Sequence, residues 1–463
     1  MGVAAIIDWL EQKLKRSNVA LAAAVGVACL FVPLQMASQT WDDHDRSGRY
    51  TCRDFGQNYL MSLEPGTYPV IFTNGDNDTF PLWYNQDVEG VGTDARVCNL
   101  SYLATDWYID QMVRPAYDSP SLPITWPRVD YCAGTNEYVT VQPEVKEELL
   151  EFYRQNPEEA KKLYGDDPFE LKNVLKYWVR NGKDSEGTHI IPTDTLYLTV
   201  DKEAVKKSGM LMATDSIPDR MTISLANKRA LYKGDLMLLE MLANANWTRP
   251  LYVATTVGEE NYMNLGENFV QEGLVNRITP FTTSQEGARR FDTDRVYRNV
   301  MTRFKFGGLE TKGLYIDETI LRMCWTHKRL FVSLAENLIN EGRKAEAKKV
   351  IAYMNKVMPA YNVPDSYVTG GMQLAECYVR LGMKAEAKKL LADMWKTAEQ
   401  YMNWYLNLSQ ARFAQSVRDC TVQLYTMQSI FNVACDLDQD LADKYAKKLS
   451  EILKIYEARG GEY

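Results

Sequence analysis

The chain opens with an amphipathic segment that is followed by an uncharged apolar run. This run, from Val19 to Leu34, approaches the length that a helix needs to cross a bilayer. Basic residues precede the run and acidic residues follow it: Lys13, Lys15 and Arg16 before, and Asp42, Asp43 and Asp45 after. By the positive-inside rule, this pattern predicts a single transmembrane helix over residues 18–37. Residues 1–17 would form a cytoplasmic amphipathic leader, and the rest of the chain would lie outside.

A cleaved signal peptide is the alternative to an uncleaved anchor. Signal peptidase sites have small residues in a small-x-small pattern, and Gln35-Met36-Ala37 fits this pattern poorly. The segment that precedes the apolar run is also long for a signal peptide. The pattern therefore favours the anchor.

Strand-like and helix-like patterns alternate after the anchor. A short apolar run from Val70 to Phe72, a helical segment at 80–88 and a strand-like run at 96–100 have the layout of a βαβ unit. A helical pattern at 234–246 followed by a strand pattern at 251–255 adds a second helix-then-strand unit. We therefore expect residues 41–315 to form an α/β domain with a mostly parallel sheet and Rossmann-like layering.

Further patterns complete this domain. A helix is predicted over residues 49–63, where Glu64-Pro65-Gly66 ends it. Residues from about 143 to 182 predict a helical insertion, which is broken at Asn156-Pro157 and again near Gly165. Strands are expected at 195–200 and 221–225, and an edge strand at 274–279.

An internal repeat appears from Glu318 onward, where strand-like patterns are absent. Residues 334–354 align with residues 374–394 at an offset of forty, and twelve of the twenty-one positions are identical. Helix pairs of this kind resemble tetratricopeptide repeats, so residues 318–463 are expected to form an all-α helical-repeat domain. A third, degenerate pair is expected at 411–459. Such pairs either dock a partner or only cover the α/β domain, and the sequence leaves both open.

Composition limits the classes of function. The net charge is −8 over 463 residues and no long basic run occurs, which argues against a nucleic-acid partner. With three histidines, a His-rich metal site is excluded. The eight cysteines form no CxxC pair, so neither a zinc site nor a dense disulfide framework is expected. Walker, GxSxG, HExxH and GxGxxG motifs are absent from the sequence.

Asn and Asp side chains crowd the loop after the first predicted strand. Within it, Asp76-Asn77-Asp78 matches the DxD pattern of metal-dependent glycosyltransferases, in which carboxylates chelate a hard cation. A divalent cation at Asp76 and Asp78 is one hypothesis, although no cofactor is expected otherwise. The alternative is structural, because Asp78 or Thr79 would cap a helix with Pro81 in its first turn.

A second polar loop follows the second predicted strand and contains Asp106 and Trp107. Because carboxyl ends of parallel strands meet at one edge of a sheet, this loop is expected to face the first loop across a cleft. Such a cleft would bind a glycan or a peptide through polar contacts and a stacking ring. The candidate ligand-binding residues are Asn74, Asp76, Asn77, Asp78, Trp83, Asp106 and Trp107.

A histidine flanked by carboxylates lies just beyond the anchor, where His44 stands between Asp43 and Asp45. Such a histidine can titrate near neutral pH or bind a metal. The favoured alternative is that Asp42, Asp43 and Asp45 cap the helix at Arg49 and lie as solvated charge at the membrane surface.

Three sequence blocks carry a resemblance to a known family. They are WDDHDRSGRY at 41–50, NGDNDTFPLWY at 74–84, and NLS at 99–101 with TDWYI at 105–109. In this order they resemble the C-terminal soluble half of a large bacterial inner-membrane family of unknown function. That family is related to the transmembrane protein O-mannosyltransferases. Its long members begin with a multi-span core that transfers sugar from a lipid carrier, and that core has no counterpart in this sequence.

The resemblance implies a setting in glycosylation at the bacterial inner membrane, with the C-terminal domains in the periplasm. We expect an accessory or acceptor-binding module, not itself catalytic, beside a multi-span glycosyltransferase-like protein or another envelope protein. One alternative is a glycan-acting enzyme that uses Asp76, Asp78 and Asp106. The other is an envelope scaffold that docks partners through the tetratricopeptide-like repeats.

Overall fold

The computed structural model describes residues 2–15, 19–181, 189–213, 215–282 and 290–462. The predicted boundaries at residues 1, 17, 18, 182 and 463 lie outside these ranges.

Two helices begin the chain, α1 (Gly2–Leu14) and α2 (Val19–His44). Within the described residues, one helix is long and apolar enough to cross a membrane, over Ala22–Trp41 in α2. A helix that could serve as the predicted transmembrane anchor is therefore present. The helix continues beyond the predicted end at residue 37, because residues 35–44 contain neither Gly nor Pro to end it.

The structure corrects the predicted role of the acidic block beyond the anchor. Residues 42–44 belong to the last turn of α2. The Asp45 carboxylate accepts hydrogen bonds from the backbone N–H and the hydroxyl of Ser47 and so closes the turn after α2. The next helix, α3 (Thr51–Ser62), has Tyr50 as its N-cap, and no side chain caps it. The prediction that these acids cap α3 is therefore wrong.

The strands are short, and most belong to the domain's central sheet. They are β1 (Val70–Thr73), β2 (Arg96–Asn99), β3 (Tyr138–Val141), β4 (Ile190–Ile191), β5 (Thr195–Thr199), β6 (Arg220–Ser224), β7 (Ala230–Tyr232), β8 (Leu251–Ala254), β9 (Phe269–Gln271), β10 (Val275–Ile278) and β11 (Arg290–Phe291).

The central sheet has the strand order β11-β9-β10-β8-β1-β2. Strand β1 lies parallel to both neighbours, with Val70 opposite Arg96 of β2 and Leu251 of β8. Strand β10 is antiparallel to β8 and β9, and β11 is parallel to β9, so among the described strands of this mixed sheet β10 alone runs against the others. The short turn at 272–274 forces this reversal, since a parallel pair needs a long crossover. The predicted edge strand at 274–279 is thus β10, which lies inside the sheet.

The remaining strands form two small sheets, with orders β4-β3-β7 and β5-β6. The helices of this region are α4 (Asp76–Asp87), α5 (Asp106–Met112), α6 (Val145–Gln155), α7 (Pro157–Tyr164), α8 (Leu171–Asn173), α9 (Lys202–Lys207), α10 (Lys233–Asn244) and α11 (Thr293–Arg298), with π-helical turns at Val174–Arg180 and Asn299–Arg303. Helices α6 to α8 fall within the helical stretch predicted from about residue 143, and α6 and α7 end next to the predicted breaks, with Asn156 and Gly165 as C-caps. Helix α4 connects β1 to β2 and completes the predicted βαβ unit.

The C-terminal region is helical throughout, as the sequence predicts. Its helices are α12 (Glu318–Asn340), α13 (Lys344–Val357), α14 (Gly371–Arg380), α15 (Lys384–Leu406), α16 (Gln410–Gln415), α17 (Val417–Leu437) and α18 (Gln439–Ala458). Helices α12 and α13, α14 and α15, and α17 and α18 pack as consecutive pairs joined by short turns.

The first two pairs share the same turn, which explains the repeat. At the end of α12, the Arg343 N–H donates to the Leu338 carbonyl over 2.8 Å. At the end of α14, the Met383 N–H makes the equivalent 2.8 Å bond to Tyr378. Both are Schellman C-caps, with Gly342 and Gly382 at the left-handed position.

Helix α3 joins the α/β domain to the helical region through buried polar side chains. The Asp54 carboxylate accepts from the Gly307 N–H at 2.7 Å. The Asn58 amide accepts from the Lys305 N–H and donates to the Lys305 carbonyl. The Ser62 hydroxyl accepts from the Leu274 N–H at 3.1 Å. Two segments that are far from α3 in sequence, at residues 305–307 and at Leu274, are therefore fixed to this helix.

The same network fixes the tautomer of the buried His327 in α12. Because Asn58 Oδ1 must face the Lys305 N–H, its Nδ2 faces His327 Nε2 at 2.9 Å and donates to it. The proton of His327 therefore lies on Nδ1, which donates to the Met323 carbonyl at 3.0 Å. Protonation of Nε2 would place two donors against each other. Burial lowers the pKa of His327 to about 4, although the Met323 carbonyl and Asp54 oppose this shift.

We expect His327 to lower the free energy of unfolding as the pH decreases from about 6.5 to about 4. In this window the unfolded state binds more protons at His327 than the folded state does. The contribution of His327 is present above pH 6.5 and is lost towards pH 4, to an extent of about 3 kcal/mol. Denaturant unfolding of the full chain in detergent, followed between pH 7 and 5, measures the slope.

His327→Gln should make the free energy of unfolding fall less over this pH range than it does in the unsubstituted chain. An unaltered slope in His327→Gln would show that another group carries the pH dependence.

A close approach between α3 and α4 gives a second prediction. A Cβ at Gly56 would lie 2.3 Å from the Pro81 carbonyl oxygen, which belongs to the backbone and cannot move away cheaply. Ala normally stabilises a helix relative to Gly by about 0.5–1 kcal/mol. Here we expect Gly56→Ala to destabilise the protein by about 1–3 kcal/mol instead. Gly48→Ala, with open space around its Cβ, is the control in the same unfolding assay and should be neutral.

Candidate functional site

The carboxyl ends of three parallel neighbours, β8, β1 and β2, meet at one edge of the central sheet. From β1 the chain crosses to β2 on one side, and β8 lies on the other side. The point between β1 and β8 is where ligands bind in open α/β sheets. Asn74 and Gly75 follow β1 at this point, and Thr255 and Thr256 follow β8.

The loop after β1 is shorter than its sequence suggests, because α4 begins at Asp76 and not at Phe80. Gly75 is the N-cap, with φ 76° and ψ 179°, a conformation that glycine adopts readily and other residues rarely do. The predicted N-caps, Asp78 and Thr79, therefore lie inside the helix. Gly75 turns the chain sharply enough for the helix to start directly at the strand end.

Buried threonine and asparagine side chains hold this strand–turn–helix junction. The Thr79 hydroxyl donates to the Gly75 carbonyl at 2.7 Å. It lies 2.8 Å from the Thr73 hydroxyl and accepts from Asn99 Nδ2 at 2.8 Å. Thr73 and Asn99 end β1 and β2, so the junction ties both strand ends to the first turn of α4. The neighbouring Asn74 accepts from the Ser101 hydroxyl through its Oδ1 at 2.5 Å.

Asp78 spans the gap between β1 and β8. Its carboxylate accepts hydrogen bonds from the Thr256 hydroxyl and from the backbone N–H of Asn74. The Tyr59 hydroxyl lies 3.1 Å from the same threonine oxygen. Asp78 is only 8% exposed, and this burial raises the pKa of its carboxyl above the ordinary value. Asp78 is thus a buried link between the two strand ends.

Asp76 and Asn77 point elsewhere, into solvent. Residues i and i+2 of a helix are separated by about 200° around its axis, so Asp76 and Asp78 lie on different sides of α4. In the part of the chain that the structure describes, no group of three or more His, Cys, Asp or Glu side chains is placed to hold a metal. The two carboxylates of the DxD pattern therefore have different surroundings, with Asp76 exposed and Asp78 buried.

The structure places the second predicted loop in a separate group. Asp106 begins α5, and its carboxylate contacts Arg128 at 3.2 Å and the Ala133 N–H at 3.3 Å. Within the described ranges, no hydrogen bond or ion pair joins Asp106 to residues 74–78. Trp107 is half exposed and packs on Tyr102 and Tyr108.

Trp83 lies on α4 and stacks on Phe80, with ring centroids 5.7 Å apart. Its side chain is partly buried against the core. The seven predicted residues thus occupy four places. Asn74 and Asp78 hold the strand ends, Asp76 and Asn77 face outward, Trp83 packs on Phe80 along α4, and Asp106 and Trp107 begin α5.

Asp76 and Asn77 line an open cleft of about 770 Å³, which the sequence alone did not reveal. It lies between the C-terminal end of α2 and the N-terminal ends of α4 and α12, and we refer to it as the three-helix cleft. It is lined by Asp43, His44, Arg46, Arg49, Cys52, Asp76, Asn77, Phe80, Pro81, Tyr315, Asp317, Glu318, Thr319, Ile320 and Met323.

Tyr315 connects the end of α2 to the segment before α12. Its hydroxyl donates to the Asp43 carboxylate, and this hydrogen bond is the main cause that raises the pKa of Tyr315. The Arg49 guanidinium lies 4.4 Å from the Tyr315 ring centroid, a cation–π contact. Sequence reasoning missed Tyr315 because it is far from the family blocks.

Two acidic residues in the cleft complement helix dipoles. Asp317 caps α12, since its Oδ1 accepts from the Ile320 N–H at 3.0 Å, and Asp76 lies in the first turn of α4. The pair Asp317-Glu318 before an apolar helical run is a capping signal that could have placed the start of α12 at this cleft.

Residues 52–297 match the family model for TMEM260-associated domain 2, and this stretch covers more than half of the 463 residues. The chain belongs to this family. The family's name refers to TMEM260, a protein related to the O-mannosyltransferases. This relationship agrees with the resemblance that the three sequence blocks indicate. No curated protein and no solved structure matches the chain.

The TMEM260-associated domain begins in α3 and ends in α11. It contains all seven predicted site residues. The cleft residues from Asp43 to Arg49 and from Tyr315 to Met323 lie outside the matched stretch. The three-helix cleft is therefore built where the family domain meets the segments on either side of it.

Removal of each carboxylate of the DxD pattern should change the free energy of unfolding by a different amount. Asp78→Ala should lower the free energy of unfolding by about 1–3 kcal/mol, because the Asn74 N–H and the Thr256 hydroxyl lose their acceptor. Asp76→Ala, two residues away and exposed, should change it by less than about 0.5 kcal/mol. Denaturant unfolding of both variants in detergent tests this. Equal losses would mean that Asp76 also has a structural role.

Proposed function

We propose that this chain is a membrane-anchored accessory or acceptor-binding module that works beside a lipid-sugar-dependent membrane glycosyltransferase of the O-mannosyltransferase type. It is not itself catalytic. The observation that carries the proposal is the three-helix cleft, in which the end of the apolar helix α2 meets the family's Asn/Asp-rich segment through Asp76 and Asn77.

The charge pattern supports one orientation of this module. Lys13 and Lys15 precede α2, whereas Asp43 and Asp45 follow the apolar window. The leader then lies in the cytoplasm, and the α/β and helical domains lie in the periplasm of a bacterial inner membrane.

The separation of the carboxylates supports binding rather than catalysis. Glycoside chemistry ordinarily uses a pair of carboxylates facing one bond, and metal-assisted transfer uses a clustered ligand set. Here Asp76 is exposed to the cleft, Asp78 is buried against Thr256, and Asp106 pairs with Arg128. The alternative of a glycan-acting enzyme at these three residues would require them to converge.

The cleft's own chemistry suits a glycan or a peptide. The Asp76 carboxylate accepts hydrogen bonds, the Asn77 amide both donates and accepts, and the arginines donate. The exposed Phe80 ring offers an apolar face. A hydroxyl-rich or amide-rich acceptor would find partners for both its donors and its acceptors.

A scaffold is the second candidate function, and a groove in the helical region favours it. The groove, of about 500 Å³, lies between the end of α13, the linker at 359–365 and helices α14 and α15. Tyr378, Glu386, Lys389 and Asp393 line it. On this alternative, the helix pairs are tetratricopeptide-like and bind an envelope protein.

Purification of the tagged full chain from its native membranes tests the proposal. We expect the chain to carry a multi-span protein with it, and the mixture to transfer sugar from a lipid carrier to acceptor peptides. The purified chain alone should transfer none. An Asp76→Ala/Asn77→Ala variant should lose acceptor binding, while the groove variant Glu386→Lys should retain it.

Two other outcomes would establish the enzyme or the scaffold as the function instead. Sugar transfer by the purified chain that disappears in Asp76→Ala would establish the enzyme. Loss of the multi-span protein in Glu386→Lys, but not in the cleft variant, would establish the scaffold.

A further inference from the structure

Helix α4 carries an exposed apolar stripe on the side that faces away from the core. Phe80, Tyr84 and Val88 are 47%, 43% and 66% exposed, and their spacing of four residues places them on one side of the helix. Leu82 and Gln86, on the opposite side, are buried. We call the three exposed residues the α4 stripe. Exposed apolar surfaces of this kind are contact sites for a membrane or for another protein.

The first end of the α4 stripe lies beside the end of α2. Phe80 lines the three-helix cleft together with Asp43 and His44, which belong to the last turn of α2. The apolar window Ala22–Trp41 has 20 residues and, at a rise of about 1.5 Å per residue, spans about 30 Å, the thickness of the hydrocarbon core. Asp43 and His44 then lie within about 5 Å of the core. The stripe therefore starts close to the headgroup layer.

The second half of α4 is also held near the segment that follows α2. Tyr315 donates a hydrogen bond to Asp43 and packs against Arg49, so the chain between these two residues folds back. Helix α3 therefore begins beside the end of α2. Asn85, in the second half of α4, donates to the Arg53 carbonyl in the first turn of α3 at 2.8 Å. With both halves of α4 held near this segment, the geometry favours a helix axis that runs along the membrane surface.

The side chains of the stripe suit a membrane interface. Tyrosine and tryptophan combine an apolar ring with a polar group, and both are enriched where the hydrocarbon core meets water. Tyr84 supplies such a ring in the middle of the stripe. Trp41 and Tyr50, on either side of the turn after α2, are also exposed and have the same character.

Carboxylates border the stripe and limit how deeply it can enter the membrane. Asp76, Asp87 and Glu89 are exposed, and Glu89 accepts a hydrogen bond from the Tyr84 hydroxyl at 3.2 Å. These charges keep their water in the headgroup layer but would lose it in the hydrocarbon core. A headgroup without net charge also avoids repelling them. The stripe therefore suits the interface of a zwitterionic membrane and no greater depth.

We infer that α4 is an interfacial helix, which places Phe80, Tyr84 and Val88 in the headgroup layer of the membrane that α2 crosses. The chain then has two membrane contacts, one helix that spans the bilayer and one that lies on it. The second contact fixes how the α/β domain is turned about the axis of α2. The inference rests on the membrane placement in the proposed function, and it adds a lipid contact for a helix of the family domain.

Fluorescence quenching by brominated lipids tests this contact in the full chain. A bimane label is attached at Val88→Cys, with the exposed Cys29 and Cys435 replaced by serine. The chain is placed in phosphatidylcholine nanodiscs with or without bromine on the upper acyl chain. Labels at Leu163→Cys on α7 and Arg418→Cys on α17, both exposed positions, are the controls. We expect quenching at Val88 about threefold stronger than at either control, because an interfacial helix face reaches the brominated carbons.

A charge within the stripe tests whether the label reports contact of α4 with lipid. Phe80→Glu in the Val88→Cys chain should reduce the quenching to about half or less, because the carboxylate resists leaving water. Leu163→Glu is the matched control, since Leu163 is also 47% exposed, and it should leave the quenching unchanged. Denaturant unfolding shows whether both variants remain folded. The quenching at Val88 with Phe80 in place decides the inference even if Phe80→Glu unfolds.

Quenching at Val88 no stronger than at the controls would overturn the inference. If this cysteine were then shielded from a water-soluble maleimide in native membranes, a protein would cover the stripe instead. Alkaline extraction separates this inference from the proposed function. Release of the chain would refute its membrane placement, whereas an integral chain with an unquenched Val88 label would refute this inference alone. Quenching without a co-purified transferase would refute the proposed function and support the lipid contact.

Discussion

Buried polar side chains on a single helix, α3, hold the three parts of this protein together. Each of four side chains bonds a segment distant in sequence. Asp54 bonds the turn at Gly307, and Asn58 bonds the backbone of Lys305 and the ring of His327. Tyr59 bonds the loop after β8, and Ser62 bonds the turn before β10. A buried donor or acceptor left unpaired costs about 1–3 kcal/mol, so these segments have little freedom to move independently. Since α3 follows α2 after a short turn, the apolar helix is tied to the folded domains at their centre.

This constraint positions the cleft. Gly56 has no Cβ, so α4 can approach α3 closely at Pro81, where a Cβ on residue 56 would clash. His327 holds α12 against α3 through its hydrogen bond with Asn58. The N-terminal ends of α4 and α12 are thereby brought to the end of α2. Helical geometry then divides the Asp-rich segment, so that Asp78 stabilises the strand ends while Asp76 and Asn77 line the cleft.

Local features were predictable from sequence, and contacts between distant segments were not. Strand β1, the βαβ unit and the repeat turns at Gly342 and Gly382 follow from short-range patterns. The start of α4 was misplaced because turn-forming residues conceal a helix that begins at a glycine N-cap. The contact of Asp106 with Arg128 and the contribution of Tyr315 to the cleft depend on packing between segments with no shared pattern. The family blocks identified the domain but did not show which of its residues meet.

We infer that the Asp76–Asn77 turn lies at the membrane surface beside the end of α2. A spin label at Asn77→Cys, in the full chain with its exposed native cysteines replaced, tests it directly in nanodiscs that contain headgroup-chelated nickel. We expect strong relaxation of this label and little relaxation of a label at Arg418→Cys. Equal and weak relaxation at both positions would contradict it.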